Sequence, residues 1–286
     1  MTAYRTILAC LSDADTAPAT LGLAFLLGRD HQCHVEALHV RADAASAVPL
    51  VGEGMSGAMV EEMLAVAERQ TAERAGRVRT QFDAACHQCA ASMVTVPTVP
   101  QTFSALWREE VGREEEVVAN AGRLTDLLVL AKPLPDRDTP SIMTLNAALM
   151  ETGRPVLLAP PATPQTVGRN VAVFWNGSAE ASRAVAAAMP ILRRAEKVAV
   201  LSAREEDGVF PGELAGYLSW HEVQASVHTF VAGAHVGQTL LAEAAGLGAD
   251  LVVMGAYTHS RLRQLILGGV TRHVLHAAPL PVLFCH

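Results

Sequence analysis

Short apolar runs alternate with longer stretches of helical spacing along most of the chain. In the second half the apolar runs fall at about residues 170–176, 197–202, 225–231, 250–255 and 281–285. Runs of this length, rich in Val and Leu, are typical of strands buried on both faces of a sheet. Strands that alternate with helices form parallel sheets through right-handed crossovers. The pattern therefore predicts an α/β fold with five parallel strands in each half of the chain.

The apolar pattern of the second half repeats that of the first. Thr125–Ala131 reads TDLLVLA and Ala249–Gly255 reads ADLVVMG, and each is followed by a later run that contains Pro-Val-Leu. We infer two tandem domains, residues 1–160 and 169–286, joined by the linker Pro160–Pro164, because proline interrupts both helices and sheets. Parallel sheets bind ligands at the carboxyl ends of their strands, where the strand order reverses. The loops after the first and fourth strands of each half are therefore the predicted sites.

The first half carries an insertion that the second half lacks. Residues 45–60 include three glycines within six positions, between Gly52 and Gly57, and a long helix is predicted to follow at about 58–86. One interpretation is a surface excursion that packs on the other half. The alternative is a lid that closes over a ligand.

The composition limits the classes of partner. The chain has 286 residues, a net charge of −7 and no dense block of Lys or Arg, so a nucleic-acid-binding surface is not expected. No apolar run reaches the roughly 18 residues that a membrane span requires, and the N-terminal run is too short for a signal peptide. We therefore predict a cytoplasmic protein with five reduced cysteines. The acidic run Arg113–Glu116 is interpreted as a solvated helix face.

The loop Gly255–Thr271 follows the fourth strand of the second half and carries a characteristic arrangement of glycines. Together with Ala249–Met254 and Ala278–Leu283, it resembles the universal stress protein family, and the duplicated layout resembles the tandem-domain members of that family. The resemblance implies two five-stranded parallel α/β sandwich domains, related to the adenine nucleotide alpha hydrolase-like group, whose halves pair with each other. It also implies a stress-response regulator or sensor; some members bind ATP and others do not.

In the ATP-binding members of that family the phosphate motif is Gly, two residues, Gly, nine residues, Gly and then Ser or Thr. Carried over to this chain, the four positions are Gly255, Thr258, Gly268 and Gly269, so the second and the fourth depart from the motif. Glycine lets the backbone approach phosphate oxygens closely and adopt a positive φ where one is needed. If residue 258 needs a positive φ, a β-branched Thr there costs about 1–3 kcal/mol.

Three further residues of this loop favour an anionic ligand. Thr271 supplies a hydroxyl two residues after the last motif position, and His259 and Arg261 add positive charge. We therefore predict that the second half binds ATP or a related adenine nucleotide. The alternative is that the loop only connects a strand to a helix and keeps its two adjacent glycines for close packing.

The resemblance also implies where the nucleoside lies. Asn176 and Gly177 follow the first strand of the second half, where the family often has an aspartate near the nucleoside. Val200 lies near the predicted end of the second strand, where family members read adenine through backbone atoms. The alternative interpretation makes Asn176, Gly177 and Ser178 a turn and a helix cap, which is compatible with either case.

The corresponding loop of the first half is a poor phosphate site. Ala131–Pro140 contains no glycine, and its three prolines remove backbone amide donors. We therefore predict a degenerate phosphate loop that does not bind a nucleotide in this way.

Two Cys/His clusters in the first half form a second constellation. Cys33 and His34 precede the predicted second strand, and Cys86 and Cys89 form a C-x-x-C before the predicted third strand. Those strands are neighbours in the predicted topology, so the clusters could meet and bind Zn²⁺, or Cys33 could pair with Cys86 or Cys89 as a redox switch. The alternative is buried thiols and exposed histidines, and C-x-x-C alone is a weak signal. No metal is assigned on this basis.

Enzymatic activity is not expected. The sequence contains no Walker lysine motif, no H-E-x-x-H and no pairing of a nucleophile with a base, so slow ATP hydrolysis would be incidental. The alternative to nucleotide sensing is an interaction scaffold of the same fold that binds no nucleotide. The last strand, Pro281–His286, is a candidate edge for pairing with the first half or with another chain. A homodimer therefore stays open.

Overall fold

One eleven-stranded sheet runs through the chain. The computed structural model describes residues 3–43, 57–95, 102–133, 141–204, 211–231, 233, 235–256 and 269–286. The strands are β1 (Thr6–Cys10), β2 (His34–Arg41), β3 (Ser92–Met93), β4 (Ser104–Val111), β5 (Leu127–Ala131), β6 (Val156–Ala159), β7 (Asn170–Phe174), β8 (Lys197–Arg204), β9 (Ala225–Val231), β10 (Leu251–Gly255) and β11 (Val282–Cys285). Their order across the sheet is β3-β4-β2-β1-β5-β6-β11-β10-β7-β8-β9.

Helices cover both faces of this sheet. They are α1 (Ala17–His31), α2 (Gly57–Cys89), α3 (Glu114–Gly122), α4 (Ile142–Glu151), α5 (Ala179–Leu192), α6 (Pro211–Trp220), α7 (Val236–Gly246) and α8 (Gly269–Ala277). Side chains of α1, α2, α5 and α6 form one buried cluster with the sheet, and those of α3, α4, α7 and α8 form the other. Because the central strands are buried on both faces, they carry continuous apolar runs, as the sequence predicts.

The two halves join through their last strands. β6 and β11 pair antiparallel, with Leu157 opposite Leu283, whereas the other strand pairs described are parallel. The buried Tyr4 hydroxyl donates to the carbonyl of Ala187 across the junction, at 2.8 Å. The predicted pairing of the last strand with the first half is confirmed, and the antiparallel junction turns the carboxyl edges of the two halves toward opposite ends of the sheet.

The repeated Asp of the two matching sequences has the same role in each half. The Asp126 carboxylate accepts hydrogen bonds from the backbone amides of Arg5 and Thr6, at 2.7 and 3.1 Å. The Asp250 carboxylate accepts from the amides of Arg169 and Asn170, at 3.2 and 3.0 Å. Each Asp thus fixes the start of the neighbouring central strand, which gives a structural reason for this part of the repeat.

Two details of the predicted strand pattern are wrong. The first half has six strands rather than five, because the short β3 is added at the edge of the sheet beyond β4. β8 does not end near Val200 and Leu201 but continues to Arg204, since it pairs with β9 through that residue. The five predicted strands of the second half are otherwise confirmed.

The long helix predicted after the insertion is also confirmed. Helix α2 packs mainly on α1, β2 and β4 of its own half, through Val78 and Phe82, and not mainly on the other half, as one interpretation of the insertion has it. The lid hypothesis concerns residues 45–60, of which 45–56 lie outside the described residues. None of the helices described in the chain is both long and apolar enough to cross a lipid bilayer.

Candidate functional site

The carboxyl edge of the first half is occupied by a side chain of its own. Glu114, the first residue of α3, accepts a hydrogen bond from the Ser12 hydroxyl at 2.5 Å and another from the Thr144 hydroxyl at 3.1 Å. Ser12 follows β1, and Thr144 is the third residue of α4. Both carboxylate oxygens are therefore held by hydroxyls from separate elements, so an internal anion fills the place where these elements converge.

Burial raises the pKa of the Glu114 carboxyl above its ordinary value. The hydrogen bonds from Ser12 and Thr144 and the proximity of His39 oppose this effect without cancelling it. His39 is buried, and its Nδ1 lies 2.7 Å from the carbonyl oxygen of Leu11. The prediction that Arg113–Glu116 forms a solvated helix face is therefore wrong for Glu114, because the first residue of α3 points toward the sheet edge.

The second half presents the same positions with different chemistry. The element order makes β7, α7 and α8 the counterparts of β1, α3 and α4. Thr271 is the third residue of α8, as Thr144 is of α4, and it is also buried. The first residue of α7 is Val236 where α3 has Glu114. The second half therefore keeps the hydroxyl but replaces the carboxylate with an apolar side chain.

Gly255 is required by close packing. A Cβ at this position would lie 2.5 Å from the backbone nitrogen of Ala181 and 2.8 Å from the Cβ of Glu180, both in the first turn of α5. The clash is with backbone, so it cannot be relieved by turning a side chain. Gly255 lets the N-terminal end of α5 approach the end of β10, which is a packing reason for this glycine that the sequence did not indicate.

Gly269 differs from Gly255. It is the exposed first residue of α8, it has no positive φ, and a Cβ there would meet nothing within 4 Å. The packing of the described residues therefore gives no reason for glycine at this position. The predicted site residues Thr258, His259, Arg261 and Gly268 lie outside the described residues.

Asn176 and Gly177 form a turn that leads into a helix cap. The Asn176 side-chain oxygen accepts from the Ser178 amide at 3.2 Å and from the Ser178 hydroxyl at 2.8 Å. The Ser178 hydroxyl oxygen in turn accepts from the Ala181 amide at 3.1 Å, and Gly177 has a φ of +73°. The turn and cap predicted as the alternative are present, and Asn176 is exposed.

Val200 lies inside the sheet rather than at a strand end. It is in register with Val173 of β7 and Val227 of β9, and it is fully buried. Its partner Val173 is the last residue but one of β7, so Val200 lies one residue from the level at which β7 ends. A role for its backbone in reading a base stays a prediction. The carboxyl end of β8 is at Arg204, four residues further along the chain.

One residue at the second edge was given no role from the sequence. Trp175 follows β7, and its indole Nε1 is buried and has no hydrogen-bond partner among the described residues. Buried polar groups normally have a partner, so this N–H is a donor to consider for a ligand. Glu180 lies in the same region, where its carboxylate pairs with Arg183 at 2.8 Å.

Lys132 is the charged residue at the start of the first-half loop. Its Nζ donates to the carbonyl oxygens of His276 and Ala278, near the C-terminal end of α8, with 3.1 Å to Ala278. Burial lowers its pKa. Lys132 therefore caps a helix of the other half, and residues 134–140 of its loop lie outside the described residues.

The strands that follow the two Cys/His clusters are not neighbours in the sheet, although the sequence pattern predicted them to be. β4 lies between β2 and β3, so the strand that follows Cys86 and Cys89 is not beside the strand that follows Cys33. The five cysteines are free, and no group of three or more His, Cys, Asp or Glu side chains in the described ranges is arranged to hold a metal ion. Burial raises the pKa of Cys33 to about 12 and of Cys86 to about 11, which disfavours the thiolate that metals bind.

A cleft of about 410 Å³ lies away from both carboxyl edges. It is lined by residues of β1, β2, β4 and α3, among them Glu36 of β2 and Arg108 of β4. Arg108 pairs with Glu36 at 2.9 Å and with Glu110 at 3.0 Å, so its charge is already balanced. The cleft does not coincide with the predicted nucleotide site.

Comparisons with known proteins identify the family of the second half and the fold of the whole chain. Residues 178–286 match the model of the universal stress protein family. A universal stress protein from Archaeoglobus fulgidus DSM 4304 has a similar structure over 98% of this chain and 97% of its own, with a TM-score of 0.66 and 14% identity. A putative universal stress protein from Pseudomonas aeruginosa UCBPP-PA14 matches over 99% of this chain and 94% of its own, with a TM-score of 0.56 and 17% identity. At these identities the structural matches show the fold alone, and no curated protein sequence matches the chain significantly.

Proposed function

We propose that this chain, whose C-terminal half carries a universal stress protein domain and whose whole length has that family's fold, binds ATP or a related adenine nucleotide in that half. The site would lie at the carboxyl edge formed by the end of β10 and the start of α8. Binding there would make the chain a nucleotide-dependent regulator or sensor in the stress response. The proposal assigns it a binding role and no catalytic step.

One contrast carries this proposal. In the first half the hydroxyls of Ser12 and Thr144 hold the Glu114 carboxylate. In the second half Thr271 stands at the position of Thr144, while Val236 stands at the position of Glu114. A hydroxyl that binds an internal anion in one half is thus kept in the other without the carboxylate at the corresponding position. A phosphate group is an external anion that would take that place, with added support from the amides at the start of α8.

A specific observation favours a second candidate function, that of a scaffold without a nucleotide. Gly255 is explained by the packing of α5, and Asn176 is explained by the cap at Ser178. If those structural roles are the whole purpose of the motif residues, the fold would serve only as a platform for partners.

Isothermal titration of ATP and ADP into the full chain tests the proposal. Thr271→Val removes the hydroxyl with little change of volume, and we expect about 5-fold weaker binding, because a lost hydrogen bond costs about 1 kcal/mol. Thr144→Val is the matched control in the first half and should leave the affinity unchanged. The absence of binding by the unmodified chain would support the scaffold instead.

A further inference from the structure

The outer strand of the second half, β9, has an edge that no other described strand covers. Among the described strands β9 pairs with β8 alone, and it forms one end of the sheet. Its sequence, ASVHTFV, contains no charged residue and no proline. Val227 and Val231 are 40% and 83% exposed. Edge strands in soluble monomers usually carry charges, prolines, bulges or a covering element, because an open edge pairs readily with another strand.

The equivalent strand of the first half has the protection that β9 lacks. β4 is covered at its amino end by β3, through the pairs Ser92–Ser104 and Met93–Ala105. Beyond that point β4 carries Arg108, Glu109 and Glu110, so its uncovered part is charged. Two copies of one strand position thus differ in two of these features, the covering strand and the charged side chains.

Exposed apolar side chains adjoin this open edge. Helix α6 packs against β8 and β9 and ends at Trp220, which is 89% exposed, with Tyr217 46% exposed one turn before it. Only a short turn separates Trp220 from the start of β9 at Ala225. Aromatic residues exposed to this degree beside an apolar strand are typical of a protein interface rather than of a solvated surface.

We propose that β9 is a dimerisation edge, at which a second copy of this chain adds antiparallel to the sheet about a twofold axis at His228. The strand is self-complementary in that arrangement. Val227 lies opposite Thr229 of the second copy, and Ala225 lies opposite its Val231. These residues share the sheet face that carries α6, because Ala225 and Val227 are in register with Val198 and Val200 of the same core cluster.

The symmetric arrangement also accounts for the aromatic residues. The Val231 of the second copy lies opposite Ala225 and so comes next to the turn that follows Trp220. By symmetry, the interface would contain two such contacts. Each would bury Val231 of one copy near Trp220 of the other, one contact at each end of the paired strands. β-branched cross-strand pairs without like charges stabilise antiparallel strands by about 0.2–1 kcal/mol each. The two halves of the chain already join by the same kind of contact, through β6 and β11.

Light scattering coupled to size-exclusion chromatography of the full chain tests this proposal. We expect the unmodified chain to have twice the chain mass at high micromolar concentration. Val227→Lys combined with Thr229→Lys places lysines opposite lysines across the axis, and we expect this variant to be monomeric. Val227→Lys combined with Thr229→Glu is the matched variant, because each lysine then faces a glutamate of the second copy, and we expect it to restore the dimer.

The outcomes separate this interface from others. A monomeric unmodified chain would overturn the proposal, and so would a dimer that persists in the Lys/Lys variant. Loss of the dimer in both variants would overturn the antiparallel register at His228. Both substituted residues are exposed, so circular dichroism should show the same folded spectrum and a similar melting temperature for the three chains. The measurement needs no nucleotide, so it stands apart from the proposed function.

Discussion

The carboxyl edges of the two halves are built from the same elements but differ in whether a carboxylate of the chain lies there. In the first half the carboxylate of Glu114, at the start of α3, accepts hydrogen bonds from the hydroxyls of Ser12 and Thr144. In the second half Val236 leaves the corresponding place without a carboxylate, and Thr271 keeps the hydroxyl. The comparison shows how two halves with one architecture can differ in the charge at the same edge. An anion supplied by the chain satisfies the same donors that an external anion would use.

The largest expected effect concerns the glycine that joins β10 to α5. We expect Gly255→Ala to lower the free energy of unfolding by about 1–3 kcal/mol, because the added Cβ meets the backbone of Ala181. The first half has Ala131 as the last residue of β5, so its helix tolerates a Cβ at that place. Denaturation in urea measures the change.

Gly269→Ala is the control for that substitution. Nothing lies within 4 Å of the added Cβ, so stability should change by less than about 0.5 kcal/mol. We expect this variant to weaken nucleotide binding instead, since the Cβ would stand at the start of α8. Equal losses of stability in the two variants would contradict the distinction between a packing glycine and a binding glycine.

Moving the carboxylate of the first half into the second is the next test. Val236→Glu should place a negative charge beside Thr271 and weaken ATP binding at least about 10-fold, which corresponds to about 1.4 kcal/mol. Val236→Gln has nearly the same shape without the charge and should bind close to normally. If the two variants bound ATP equally well, the charge at this position would have no influence on the ligand.

The smallest expected effect is a difference in pH dependence between two glutamates. The pKa of Glu114 is raised, so its contribution to stability is largest at low pH and falls as the pH rises from the unfolded-state pKa through the folded-state pKa. Burial also raises the pKa of Glu180, but its own backbone amide and the charge of Arg183 outweigh burial and lower it. Its contribution is therefore present above the unfolded-state pKa and is lost as the pH falls.

Unfolding of Glu114→Gln and Glu180→Gln across the acidic range checks this difference. Relative to the unmodified chain, Glu114→Gln should gain stability as the pH rises, and Glu180→Gln should lose it. Trends of the same sign in both variants would mean that the environments of the two carboxyls do not differ as the geometry indicates.

The sequence predicted the central strands because each is an apolar run buried on both faces of the sheet. It missed β3, since Ser92–Met93 is too short and too exposed to show a period. It also missed Glu114, because three adjacent glutamates resemble a solvated helix face and only the tertiary fold turns the first one inward. The end of β8 was predicted too early for a related reason: it depends on the pairing of β8 with β9, which the local pattern does not encode.

The central claim is that the second half takes an external anion where the first half supplies its own. The most direct measurement is to denature the purified full chain and identify the small molecules it releases by mass spectrometry. The account predicts an adenine nucleotide at close to one per chain, released by the unmodified chain and lost from Val236→Glu. No released nucleotide, together with no heat on titration of ATP, would contradict it and leave the loop of the second half as a connection between a strand and a helix.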